Sequence, residues 1–140
     1  MSSQEKLDTL YIDLAHRIAN MSHADRKKVG SIIVQGDNII SMGWNGMPRG
    51  ADNVCEVKVD GALITNREVL HAESNALAKL AATGGGNSAG STVYVTMSPC
   101  FDCAKLLIQS KVARVVYRES YRDASGIDLL KRYGIQVDQI

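Results

Sequence analysis

His71-Ala72-Glu73 and Pro99-Cys100-Phe101-Asp102-Cys103 each open a stretch of helical periodicity. Any fold that gathers these side chains at one metal ion must therefore aim two helix N-termini at the same point. Residues i and i+2 of a helix project about 200° apart, so His71 and Glu73 cannot both reach an ion lying beside their helix. Both can reach an ion lying beyond its first turn. Cys100 and Cys103, at i and i+3, share a helix face, and Pro99 suits a helix start. A first-turn position also lowers a thiol pKa through the backbone dipoles. One imidazole and two thiolates make a three-ligand zinc site with an open fourth position, the arrangement of a catalytic zinc. A zinc that only staples two helices would need a fourth protein ligand; Cys55, in a long loop, is the remaining thiol and reads as a bystander.

The rest of the chain supplies a mixed α/β frame. Leu7, Leu10, Tyr11, Leu14, Ala15 and Ile18 recur at helical spacing, predicting an amphipathic helix over 4–21 with His16 on its solvated face. Val29–Val34 and Ile39–Met42 flank Gln35-Gly36-Asp37-Asn38 and predict an antiparallel hairpin. From Trp44 to Leu70 no clear period emerges, and a connection of that length leading into His71 suggests a lid over the site. A helix over 71–83 stops at Gly84. A strand over 92–96, a helix over 100–110 and a strand over 112–117 then form a βαβ crossover with parallel strands. A last helix capped by Ser125 and ended by Gly134 leads to an edge strand at 135–137. The expected architecture is a single domain over 1–140, a three-layer αβα sandwich with a central mixed five-stranded sheet: an antiparallel hairpin of the first two strands, then parallel later strands.

Bulk properties narrow the ligand. A 140-residue chain buries roughly 70% of its unfolded surface without staples. Its net charge of +1 supplies no basic field for nucleic acid, and its seven aromatic residues leave few stacking platforms. A small substrate is favoured. Three cysteines, two of them in Cys-x-x-Cys, with no leader or membrane-length apolar run, fit a reducing cytoplasm.

His-x-Glu followed by Pro-Cys-x-x-Cys is the signature of zinc-dependent base deaminases. Beyond these motifs, Ser22-His23-Ala24-Asp25-Arg26-Lys27-Lys28-Val29-Gly30 and Gly43-Trp44-Asn45-Gly46-Met47-Pro48-Arg49-Gly50, with the stretch from Ser98 to Tyr121, resemble the deoxycytidylate (dCMP) deaminases of the cytidine deaminase superfamily. Trp44 stands where those proteins usually have Tyr. The resemblance implies zinc-dependent hydrolysis of dCMP to dUMP and ammonia, feeding dTMP synthesis, with Glu73 moving protons between water and the base. It also implies that Asn45 contacts the sugar or base, the Ala72 N–H reads the C2 carbonyl, the Ser98 carbonyl takes the leaving amine and Tyr121 forms a wall. For the 5′-phosphate, Arg26 leads, with Ser22, Lys28 and Arg49 behind it.

The same resemblance implies a homohexamer activated by dCTP and inhibited by dTTP, each with Mg²⁺, at a site near Gly43, Trp44, Gly46, Arg49 and Lys28. Glu56–Leu70 holds no His or Cys, so one zinc per chain is expected. Two other readings stay open at this level: a related deaminase acting on free cytidine, tRNA or polynucleotide, and a non-catalytic zinc-dependent nucleotide sensor, which would have no use for Glu73.

Overall fold

A computed structural model describes residues 1–140. The first helix, α1, spans Ser3–Ala19 and starts with a reciprocal cap in which Glu5 N–H donates to Ser2 Oγ and Ser2 N–H donates to Glu5 Oε2. It is followed by an antiparallel hairpin of β1, Gly30–Gln35, and β2, Asn38–Trp44. The chain then alternates: α2, Ala72–Thr83; β5, Thr92–Met97; α3, Phe101–Gln109; β6, Arg114–Glu119; α4, Ser125–Arg132; and β7, Gln136–Gln139. Within the segment between β2 and α2 lies a separate ribbon of β3, Glu56–Val59, and β4, Ala62–Thr65.

The main sheet runs β2-β1-β5-β6-β7. β1 is antiparallel to both β2 and β5, whereas β5, β6 and β7 are parallel. Side-chain alternation divides it into two apolar faces. Ile32, Val34, Tyr94 and Val116 pack against Tyr11 and Ile12 of α1. Ile33, Val93, Val95 and Val115 pack against Ala76 and Leu80 of α2, Ala104 and Leu107 of α3, and Leu130 of α4. The result is the expected three-layer sandwich with its mixed five-stranded sheet.

The α1 layer also buries charge. Arg114 donates two parallel bonds of 2.9 Å to Asp8 and one of 2.8 Å to Asp138, while the Tyr94 hydroxyl donates to Asp8 at 2.6 Å. Burial pushes the Asp8 carboxyl up, but the bonds from Arg114, Tyr94 and Gln4 outweigh it and hold the group at about 2.

Several local expectations are corrected. The 44–70 segment is not wholly irregular: Asp60 and Gly61, with φ of 51° and 80°, make the two-residue turn of a β-hairpin. His16 is half-buried with no partner for Nε2, and burial first, then the nearby Arg118 charge, lowers its pKa. The α4 N-cap is Ala124, and Ser125 is the first helical residue, its N–H held by Asp123 Oδ1 at 2.9 Å.

Candidate active site

His71 is the N-cap of α2, and Cys100 is the N-cap of α3, with Cys103 in its first turn. Two helix N-termini therefore do converge, at the end of the sheet where β5 and β6 finish. Their approach depends on glycines. A Cβ on Gly43 would stand 2.5 Å from the Ala72 carbonyl oxygen and 2.6 Å from the Ala76 nitrogen, so β2 supports the first turns of α2 directly. A Cβ on Gly126 would meet Cys100 O at 2.8 Å, so the start of α4 lies against the backbone that carries the first cysteine.

The donor atoms of His71, Cys100 and Cys103 lie within 4.8 Å of one another. His71 Nδ1 is 3.4 Å from each sulfur. Tetrahedral zinc with ordinary Zn–S and Zn–N bonds separates such a nitrogen and sulfur by ~3.5 Å. The residues present thus fit the metal, with Nδ1 as the imidazole ligand atom. These groups share protons among themselves. A hydrogen bond from the Cys103 thiol, reinforced by His71, holds Cys100 down at about 4 and makes it a thiolate. That thiolate in turn raises the pKa of Cys103, and raises that of His71 through their hydrogen bond. A divalent ion replaces those protons as the positive charge.

Glu73 is 5% exposed, and burial pushes its carboxyl up to about 7. A group poised there can both accept and release a proton at neutral pH. With His71, Ala72 and Cys100 it lines a cavity of about 250 Å³. Ala72 is the first residue of α2, so its N–H has no helical acceptor and is available to a ligand.

The same cavity takes in Asn45, Arg26, Ser98 and Tyr121. Asn45 anchors the preceding turn, accepting from Val29 N–H and donating to Lys27 O, both at 2.8 Å. Its amide retains one donor and one lone pair for a ligand. Ser98 accepts the Tyr121 N–H at 2.6 Å, tying the loops after β5 and β6 together.

Other expected site residues lie elsewhere. Ser22 is outside the cavity; its buried hydroxyl donates to Asn45 O and accepts from Ala24 N–H, so it shapes the turn and is not free for phosphate. Lys28 and Arg49 are exposed and outside the cavity, and Gly43 is buried beneath α2. Gly46 pairs with Leu70 through two backbone bonds, and Trp44 stacks under Lys79 at 4.5 Å. Conversely, Cys55, Glu56, Thr65 and Val69 line the cavity unannounced by motif, and so does Lys27, which lies in the Ser22–Gly30 segment but was not singled out. Lys27 is paired with Glu119. Only Glu56 and Thr65 had a signal that could have found them: the Asp60-Gly61 turn marks the ribbon whose ends they occupy.

The model of the cytidine and deoxycytidylate deaminase zinc-binding region matches residues 5–119. The chain belongs to this family. Among individual relatives, the family member is 33% identical over 94% of its length to the deoxycytidylate deaminase of Schizosaccharomyces pombe, of which it spans 43%. It is 30% identical over 90% of its length to that of Enterobacteria phage T4, spanning 86% of it. The structure of dCMP deaminase from cyanophage S-TIM5 with dCMP and dUMP superposes with a TM-score of 0.90 at 40% identity, covering 100% of this deaminase-family chain and 99% of that one. No helix of the chain is long and apolar enough to cross a membrane.

Proposed function

We propose that the chain hydrolyses dCMP to dUMP and ammonia. The observation that carries this reading is that Glu73, His71, Cys100 and the cations Arg26 and Lys27 line one cavity, with Cys103 Sγ 3.4 Å from His71 Nδ1. A buried proton carrier beside an open metal position suits base chemistry, and two cations at the same cavity suit a substrate that carries phosphate.

When bound, zinc supplies Lewis acidity that makes water nucleophilic at neutral pH. Glu73 takes the first proton of the attacking water and carries it to N3 of the cytosine ring as the oxygen joins C4. It then moves the remaining hydroxyl proton to the C4 amine, which leaves as ammonia while the C4 carbonyl forms. The Ala72 N–H holds the C2 carbonyl, the Ser98 carbonyl receives the amine, and Tyr121 closes the base pocket. Asn45 fixes the sugar with the donor and lone pair its amide has left. Arg26, with Lys27 beside it, takes the 5′-phosphate.

The proposal extends to regulation: a homohexamer in the cytoplasm, activated by dCTP and inhibited by dTTP with Mg²⁺. Its support here is the Trp44, Lys79 and Arg49 cluster, outside the substrate cavity. Lys79 lies over the Trp44 ring at 4.5 Å, and burial first, then the Arg49 charge, lowers its pKa.

The deciding experiment measures ammonia release from dCMP, deoxycytidine, CMP and tRNA side by side, with Glu73→Gln as control. Turnover of dCMP that disappears in the variant while zinc stays bound supports the reading. A zinc-loaded protein that binds dCMP and yields no dUMP would make it a sensor.

A further inference from the structure

One rung of the β3–β4 ribbon grips Arg26 at both ends. Glu56 and Thr65 stand directly opposite each other in the ribbon register. The Glu56 carboxylate, 9% exposed, accepts the Arg26 N–H at 3.0 Å and the Asp25 N–H at 3.0 and 3.1 Å. Thr65 Oγ1 accepts the Arg26 guanidinium at 2.9 Å. All three residues line the cavity that His71, Glu73 and Cys100 also line.

The ribbon itself has little else to seat it. Its strands pair only with each other, and Val57, Val59, Leu63 and Ile64 remain exposed. A two-stranded hairpin of this kind is marginally stable alone. A carboxylate next to a phosphate donor is also unfavourable by charge unless it serves another end. Here its oxygens are occupied by backbone N–H groups, which fixes the turn, while Thr65 removes rotamer freedom from the guanidinium before any ligand arrives. Fixing a long cationic side chain in advance avoids losing that entropy on binding.

We propose that the Glu56–Thr65 rung is the positioning element for Arg26, presetting its guanidinium for the phosphate of a nucleoside monophosphate and thereby setting selectivity for phosphorylated over unphosphorylated substrate. The inference rests on the reading of the cavity as a dCMP site and adds the residues that make it selective.

The test measures kcat/KM for dCMP and deoxycytidine with the zinc-loaded full chain. The variants are Thr65→Val, Thr65→Ser and Glu56→Gln, each alone and combined with Arg26→Gln. Thr65→Val lowers the dCMP to deoxycytidine ratio about tenfold, mainly through KM for dCMP, as loss of one bond to a charged group predicts. Thr65→Ser restores the ratio. Glu56→Gln, whose neutral amide oxygen holds the two N–H groups more weakly than a carboxylate, lowers it too, and no variant lowers it further once Arg26 is Gln. An unchanged ratio in Thr65→Val, or full additivity with Arg26→Gln, overturns the proposal. So does a ratio that rises in Glu56→Gln, because the carboxylate would then be competing with the phosphate. If the unaltered protein processes dCMP no better than deoxycytidine, the dCMP reading fails and this inference with it. If it prefers dCMP but the ratio ignores Thr65, this inference alone fails.

Discussion

His71 Nδ1 lies 3.4 Å from Cys103 Sγ, although the two residues belong to helices separated by a full strand of the sheet. A zinc held by these side chains would crosslink α2 and α3. Substituting Cys103→Ala or His71→Ala removes one of only three protein ligands. Metal analysis of the purified variants then finds well under one zinc per chain, against one for the unaltered protein. Chelation lowers the thermal midpoint of the unaltered protein and leaves that of Cys103→Ala where it was.

Glu73 separates metal binding from chemistry. Glu73→Gln keeps the shape and removes the proton carrier, so zinc content is unchanged while kcat for dCMP falls by roughly 10² to 10⁴. Ammonia release and metal analysis on the same preparation check both halves.

Arg26→Gln tests the proposed phosphate contact. Loss of a charge-assisted bond to phosphate raises KM for dCMP about tenfold or more, with a much smaller change for deoxycytidine. Equal changes for both nucleotide and nucleoside would remove Arg26 from the phosphate site.

Gly43→Ala tests whether this residue is part of the packing beneath α2. The added methyl would sit 2.6 Å from the Ala76 nitrogen, within rigid backbone. Such overpacking costs about 1–3 kcal/mol, visible as a lower urea midpoint. Since α2 carries His71 and Glu73, zinc affinity falls in the same variant.

Asp8 gives the fold an acid-sensitive joint. Its folded pKa of about 2 lies below the ordinary 3.8. The pair with Arg114 therefore contributes fully above pH 4, and its stabilisation is lost as the pH falls from there through 2. The amount at stake is about 2 kcal/mol by linkage. Urea unfolding from pH 6 to 2 shows this arm in the unaltered protein. Asp8→Asn lacks it, and at pH 7 is less stable by about 3–5 kcal/mol because Arg114 keeps its buried charge without its main partner.

The candidate metal centre was legible because its His and Cys residues sit in short local motifs. His71, Cys100 and Cys103 lie at helix starts, and helix geometry then dictates where their side chains converge. The hairpin, the crossover and the layer order followed from periodicity and turn residues in the same way. The β3–β4 ribbon escaped because its strands are four residues long and almost wholly exposed, so no buried face supports the short Glu56-Val57-Lys58-Val59 alternation; Asp60-Gly61 marked its turn. His16 and Ser22 were misplaced for a different reason. Local pattern reports a side chain's face on its own element and not which neighbour covers that face.

By itself, the sequence determined most of the helices and the main-sheet strands, and placed each candidate ligand at a helix start, since these depend on contacts within a few residues. Only the tertiary structure decided that Glu56 and Thr65 hold Arg26, that Lys27 reaches the cavity while Lys28 and Ser22 do not, and that Gly43 supports α2. Those contacts join residues far apart in the chain, and they exist only once the layers have packed.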